Sequence, residues 1–146
     1  THDLKFDSCQ KIFMFGKLSS KIEMDVPDYQ IVVTGFHLRT LAHTRLAVGP
    51  LSVTAYEAMR LGTPLLTFQG IPSDAPCIEA LDNVTGGAVQ TFTASGGDFR
   101  DVLLNRLRLL WHDREARQWM SRQTAQMIDG QGARRVAEAI AGLIEG

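Results

Sequence analysis

Three polar residues stand at a point of the sequence where a diphosphate could bind. Ser52 and Thr54 follow a short apolar run that ends at Val48, and Glu57 comes one helical turn later. We predict a strand, a tight turn and a helix here, so that the first helical amides lack intrahelical partners and face any ligand with a positive dipole end. Hydroxyl groups in such a turn can donate to a diphosphate, and a carboxylate can accept from the hydroxyls of a ribose. An N-cap role for Ser52 or Thr54, with no ligand, explains these hydroxyls equally well.

Short apolar runs alternate with helical patterns over the first two thirds of the chain. The predicted strands are 31–34, 45–48, 65–68 and 88–92. The predicted helices are 8–18, 38–43, 54–61 and 74–81, with a turn at Gly49-Pro50. This alternation favours a doubly wound α/β fold, in which helices cover both faces of a parallel sheet.

The last third of the chain has a purely helical pattern. Apolar residues from Phe99 to Trp111 recur at helical spacing, and two further helices, 114–128 and 133–144, are predicted to form a C-terminal helical tail. Trp111 and Trp119 are interpreted as packing residues, and the two cysteines as buried thiols. Because no internal repeat or linker is found, we interpret 1–146 as a single domain.

Composition narrows the classes of function. The chain has 146 residues, of which 45% are hydrophobic, and a formal net charge of −1. A charge so close to zero argues against binding to a nucleic-acid backbone. No apolar run approaches the ~18 residues of a membrane span, and no secretory signal is recognised, so a cytoplasmic location is expected. His37 and His43 are six residues apart, which is not a metal-ligand spacing, and we predict neither a metal nor a cofactor.

The segment 48–66, VGPLSVTAYEAMRLGTPLL, resembles the donor-binding element of GT-B glycosyltransferase C-terminal domains. That element runs from a Gly-Gly pair through Ser-Thr to a Glu, then through a helix to Leu-Gly-x-Pro and a strand. The residues that match this frame are Thr54, Glu57, Leu61, Gly62 and Pro64.

The tail carries a second resemblance. The stretch 117–140, RQWMSRQTAQMIDGQGARRVAEAI, is similar to the ending of the nucleotide-sugar hydrolase of pseudaminic acid synthesis and of related spore-coat polysaccharide proteins. Both motifs occur in the order found in that family, and the resemblance extends from about Ile31 to the end of the chain.

The resemblance implies a Rossmann-like domain that binds a UDP- or CMP-type nucleotide sugar. The base would lie near the main chain after the 31–34 strand, the diphosphate on the turn that begins at Ser52, and the ribose on Glu57. Asp74 stands near the position of an Asn-Gln pair that contacts the donor in the family. The nucleotide-sugar-binding residues implied in this way are Phe36, His37, Ser52, Val53, Thr54, Glu57 and Asp74.

The function implied is that of one half of a glycosyltransferase or nucleotide-sugar hydrolase in bacterial surface polysaccharide or glycan biosynthesis. The catalytic base of this family lies in an N-terminal domain. We therefore assign no catalytic residue here, interpret the chain as a fragment that pairs with such a domain, and expect it to be inactive alone. One alternative is a non-catalytic structural or interaction domain that has lost donor binding, because Leu51 and Ser52 replace the Gly-Gly pair, Val53 replaces the Ser, and the Asn-Gln pair is absent. A nucleotide-sugar 2-epimerase of the same architecture is a further alternative, which the tail motif disfavours.

Overall fold

Parallel strands form the centre of the fold. The computed structural model describes residues 11–14, 30–32, 38–93 and 98–146. Within these ranges the strands are β1 (Lys11–Met14), β2 (Gln30–Val32), β3 (Leu46–Pro50), β4 (Leu65–Phe68) and β5 (Gln90–Phe92). All pair in parallel in one sheet of order β2-β1-β3-β4-β5. The protein is therefore a mixed α/β structure built on a parallel sheet.

Six helices flank the described strands. They are α1 (Leu38–Ala42), α2 (Val53–Arg60), α3 (Ala75–Thr85), α4 (Phe99–His112), α5 (Arg114–Met127) and α6 (Gly132–Glu145). A short 3₁₀ turn, Pro72–Asp74, leads directly into α3. Among the described helices, none combines the length and the apolar character needed to cross a membrane.

The central strands are buried on both faces. Successive side chains of a strand point to opposite sides of the sheet, and here both sides are covered. Leu46 and Val48 belong to one apolar cluster, which α4 completes with Leu103, Leu107, Leu110 and Trp111. Ala47, between them, belongs to a second cluster, which α1, α2 and α3 complete with Leu41, Ala55, Ala58, Met59 and Leu81. Helices therefore cover both faces of the sheet.

The strand register brings the ends of three strands together. Pro50 pairs with Phe68, and Phe68 pairs with Phe92, so β3, β4 and β5 all end at the same edge. The Phe68 ring lies 5.4 Å from that of Phe92 and 5.0 Å from that of Phe99 between centroids, which anchors the start of α4 to this edge. The connections that leave the carboxyl ends of these strands consequently meet on one side of the molecule.

Several sequence predictions are corrected by the structure. The helix predicted for 8–18 is wrong where the chain is described, because Lys11–Met14 pairs with both β2 and β3 as a strand. A short apolar run suits either element, and pairing in the sheet decides between them. The Gly49-Pro50 turn is instead the end of β3. Cys77 is exposed rather than buried. The Trp119 side chain is 40% exposed, whereas Trp111 is buried as predicted.

Gly62 ends α2 in a way that only glycine allows. Its φ is +66°, and a Cβ placed there would lie 3.0 Å from Ser121 Oγ on α5. We expect Gly62→Ala to lower the free energy of unfolding by about 2 kcal/mol, since a left-handed backbone costs an L-residue about 1–2 kcal/mol before any clash. Gly142→Ala in α6 is the matched control, because a Cβ there meets nothing within 4 Å. Equal melting temperatures for the two variants would refute this role of Gly62.

The junction between α5 and α6 depends on Asp129. Its Oδ1 accepts the Gln131 amide at 2.9 Å and the Arg135 Nη1 at 3.2 Å, and its Oδ2 binds Arg135 Nη2. The Arg135 guanidinium, followed by the Gln131 amide, lowers the pKa of this carboxyl from 3.8 to about 2. The tail motif at 129–135 is thus accounted for by the start of α6.

A lowered folded-state pKa gives the Asp129 contacts a defined pH dependence. Their contribution is fully present above about pH 4 and is lost as the pH falls through about 2. We expect the Gln131 amide resonance to titrate with a midpoint near pH 2, and this transition to be missing in Asp129→Asn. A midpoint at the ordinary aspartate value would show that the Arg135 contact does not form in solution.

Candidate functional site

The turn between β3 and α2 lies at the carboxyl edge of the sheet. The Leu51 amide donates to the Phe68 carbonyl at 3.0 Å, which extends the β3–β4 pairing by one residue. Beside it, Thr67 Oγ1 donates to the Gly49 carbonyl at 2.9 Å. These two hydrogen bonds therefore hold the backbone from which the turn begins. In parallel α/β sheets, ligands bind at this edge.

Ser52 is the N-cap residue of α2, but its side chain makes no capping bond. Its backbone is extended, with φ −163° and ψ 178°, and its carbonyl accepts the Ala55 amide at 3.0 Å. The N-cap explanation of its hydroxyl is therefore wrong for this structure. The amides at the start of α2 lie at the positive end of the helix dipole, where an anion is favoured.

Two buried polar atoms, one in the turn and one a helical turn further along α2, have no internal hydrogen-bond partner. Ser52 Oγ and Glu57 Oε2 are both shielded from solvent, and neither is bonded to any group in the described part of the chain. Leaving a buried polar group unsatisfied costs about 1–3 kcal/mol, so such atoms are uncommon and call for an explanation. A bound ligand or ordered water would satisfy them.

The other residues of the turn have distinct surroundings. Val53 is 73% exposed and projects from the carboxyl edge into solvent. Thr54 is half-buried in the first turn of α2. Leu51 packs against the core formed by α1, α2 and α3. The Leu51 side chain thus stabilises the fold, and the position that an anion would occupy is bordered by Ser52, Val53 and Thr54.

The loop after β4 lies against the end of β3. A Cβ on Gly70 would be 3.0 Å from the Cβ of Pro50, the residue directly before the turn. Asp74 Oδ2 accepts the amides of Gly70 and Ile71, each at 3.1 Å. These bonds give Asp74 a structural role in shaping the loop.

The sequence-predicted residues are thus gathered in part. Ser52, Val53, Thr54 and Glu57 belong to one turn and helix, and the loop that Asp74 shapes contacts the end of β3 directly before that turn. Phe36 and His37 lie outside the described residues. In that same part of the chain, no group of three or more His, Cys, Asp or Glu side chains is arranged to hold a metal ion.

Sequence reasoning did not single out a cavity at the opposite edge of the sheet. A cavity of about 580 Å³ lies where α4 meets α5, and Arg106, Arg108 and His112 contribute to its lining. The available signal was the concentration of arginine in 100–122, which contains six arginines and three carboxylates. The helical pattern alone assigned these arginines to an exposed face.

Comparisons with known proteins do not assign a function. No protein-family model matches the chain, and neither the curated proteins nor the solved structures contain a significant match.

Proposed function

We propose that this chain is the nucleotide-sugar-binding domain of a glycosyltransferase-like or nucleotide-sugar hydrolase protein of GT-B type, acting in the cytoplasm in bacterial surface glycan synthesis. The observation that carries the proposal is the pair of buried, unpartnered oxygens, Ser52 Oγ and Glu57 Oε2, at the start of α2. They lie in the segment that resembles the donor-binding element of that family.

The architecture supports a doubly wound, Rossmann-like assignment. The strand order β2-β1-β3-β4-β5, with all strands parallel, is one of the two common doubly wound orders. Helices α1, α2 and α3 pack on one face and α4 on the other, as such folds require.

The proposed binding mode follows from the chemistry of each group. The diphosphate would lie against the first amides of α2 and the Ser52 hydroxyl, where the helix dipole favours negative charge. Glu57 Oε2 would accept hydrogen bonds from the ribose hydroxyls. This oxygen has no donor within the described chain. Asp74 uses Oδ2 for the loop amides, and Oδ1 is the oxygen that a sugar hydroxyl would reach. Held in this way, the diphosphate leaving group would be stabilised without a metal.

The exposed face of α6 supports a partner domain. None of the residues of α6 is buried, and a helix of this length is marginal in water without packing. Its apolar residues recur at helical spacing, and the large ones are Val136, Ile140, Leu143 and Ile144. We propose that the N-terminal domain of the same protein covers this face and supplies the catalytic base.

Glu57→Gln tests the binding mode. We expect this variant to bind the preferred nucleotide, UDP or CMP, at least tenfold more weakly, which corresponds to about 1.4 kcal/mol. Its melting temperature should not fall, because the replaced oxygen has no bond within the described chain. Calorimetric titration and thermal unfolding measure the two quantities.

The matched control is Glu138→Gln, a carboxylate on α6 that pairs with Arg134 at 2.9 Å far along the chain from the turn. It should bind nucleotide like the parent chain. A lower melting temperature for Glu57→Gln with unchanged affinity would make Glu57 a structural residue and favour the interaction-domain alternative.

A substitution of Leu51 tests whether its side chain packs on the core or blocks the diphosphate position. Because its side chain packs on the core, we expect Leu51→Gly to lower the free energy of unfolding by about 1–3 kcal/mol. Nucleotide affinity should not improve. Tighter binding with unchanged stability would show instead that Leu51 blocks the diphosphate position.

A further inference from the structure

The cavity at the corner between α4 and α5 is a second candidate binding site. It has a volume of about 580 Å³ and lies beside Gln90, the first residue of β5. It is therefore at the amino-terminal edge of the sheet, whereas Ser52 follows the carboxyl end of β3. Leucine and alanine side chains form part of its wall, and its polar lining includes Arg106, Arg108, His112 and Asp113.

Positive charge is concentrated around this cavity. The segment 100–122 has a surplus of three positive charges, although the whole chain carries −1. Two of the arginines in this segment, Arg106 and Arg108, line the cavity itself. Such an uneven distribution creates a local potential that attracts anions.

The negative potential at the C-terminal end of α4 is offset by an arginine. Carbonyls at a helix C-terminus normally repel an anion. Here the buried Arg117 side chain donates from Nη1 to the Leu110 carbonyl at 2.5 Å and to the Trp111 carbonyl. Its guanidinium thus offsets the negative end of the helix next to the cavity.

The remaining polar groups of the lining are held by defined contacts. Arg106 Nη1 lies 3.5 Å from Gln90 Oε1, a long hydrogen bond that joins two residues of the lining. Asp113, the acidic residue of the lining, accepts the Ala116 amide on Oδ1 at 2.9 Å and caps α5. Its charge is directed at the start of a helix, where it is favourable.

We propose that this cavity binds a phosphate-bearing anion through Arg106 and Arg108. A guanidinium presents paired N–H donors that match phosphate oxygens, and two such groups with a partly apolar wall suit a phosphorylated molecule of modest size. A nucleic-acid backbone would need an extended basic surface, which a chain of net charge −1 with one local surplus does not provide. Free phosphorylated small molecules and lipid headgroups share this chemistry, and the experiment separates the two sources.

The test is an amide-resonance titration of the 146-residue chain with inorganic pyrophosphate at low salt. We expect shifts at Gln90 and within 106–116, a dissociation constant in the millimolar range or below, and loss of at least tenfold in affinity for Arg106→Gln/Arg108→Gln. Arg108→Gln alone, at an exposed position, provides a second variant that folds if the double variant does not. Arg134→Gln on α6 is the matched control and should leave the shifts unchanged. Raising the salt concentration should weaken binding.

Parallel measurements identify the source and the class of the anion. Sedimentation with phosphatidylcholine vesicles, with and without phosphatidylglycerol, shows whether phosphate is taken from a lipid surface. Binding to the anionic vesicles alone, abolished in the arginine variants, assigns a headgroup site. Citrate bound as tightly as pyrophosphate, or no arginine-dependent binding in either arm, would overturn the proposal. Shifts confined to 52–57 would also overturn it and would instead report on the nucleotide site, which the arginine variants do not touch.

Discussion

The pairing of β3 with β4 is the constraint on which both the fold and the candidate site depend. Its register joins Ala47 to Leu65 and Pro50 to Phe68, and both faces of the pair are buried under helices. A shift of one residue would exchange the two faces and break both apolar clusters. Because the register is fixed in this way, the turn that starts α2 has a fixed position at the carboxyl edge.

Packing and the proposed binding would use different atoms of that turn and of the helix that follows it. Leu51 is directed into the core, and the helix that follows buries Ala55, Ala58 and Met59 against the sheet. Ser52 Oγ and Glu57 Oε2 are left without partners in the described chain. This arrangement is expected of a binding site that a rigid scaffold holds in advance, because the scaffold supplies the stability and the polar atoms are reserved for a ligand.

The elements with strong local signals could be predicted from the sequence. The pattern of α2, with Gly62 at its end, and the periodicity of α4 and α5 agree with the structure. β1 could not be predicted, because one lysine and three apolar residues form a strand here only through pairing with β2 and β3. Local patterns do not contain such long-range pairing.

The β-α connection that carries the candidate site could be predicted from the sequence, but its contacts could not. The helical pattern located the start of α2, although the turn predicted at Gly49-Pro50 is the end of β3. The packing of Leu51 and the bonds of Asp74 to the Gly70 and Ile71 amides depend on tertiary contacts. The arginine-lined cavity was not foreseen because its parts come from β5, α4 and α5. The residue spacing within one helix does not predict a cavity that two helices and a strand form together.

The central claim is that the start of α2 binds a nucleotide diphosphate. The most direct measurement is the amide spectrum of the isotope-labelled chain, recorded with UDP or CMP-type nucleotide at millimolar concentration. The account predicts saturable shifts at the amides of 52–57 and in the 70–74 loop, which contacts the end of β3. An unchanged spectrum in both segments at saturating nucleotide would contradict it and leave the turn as a purely structural β-α connection.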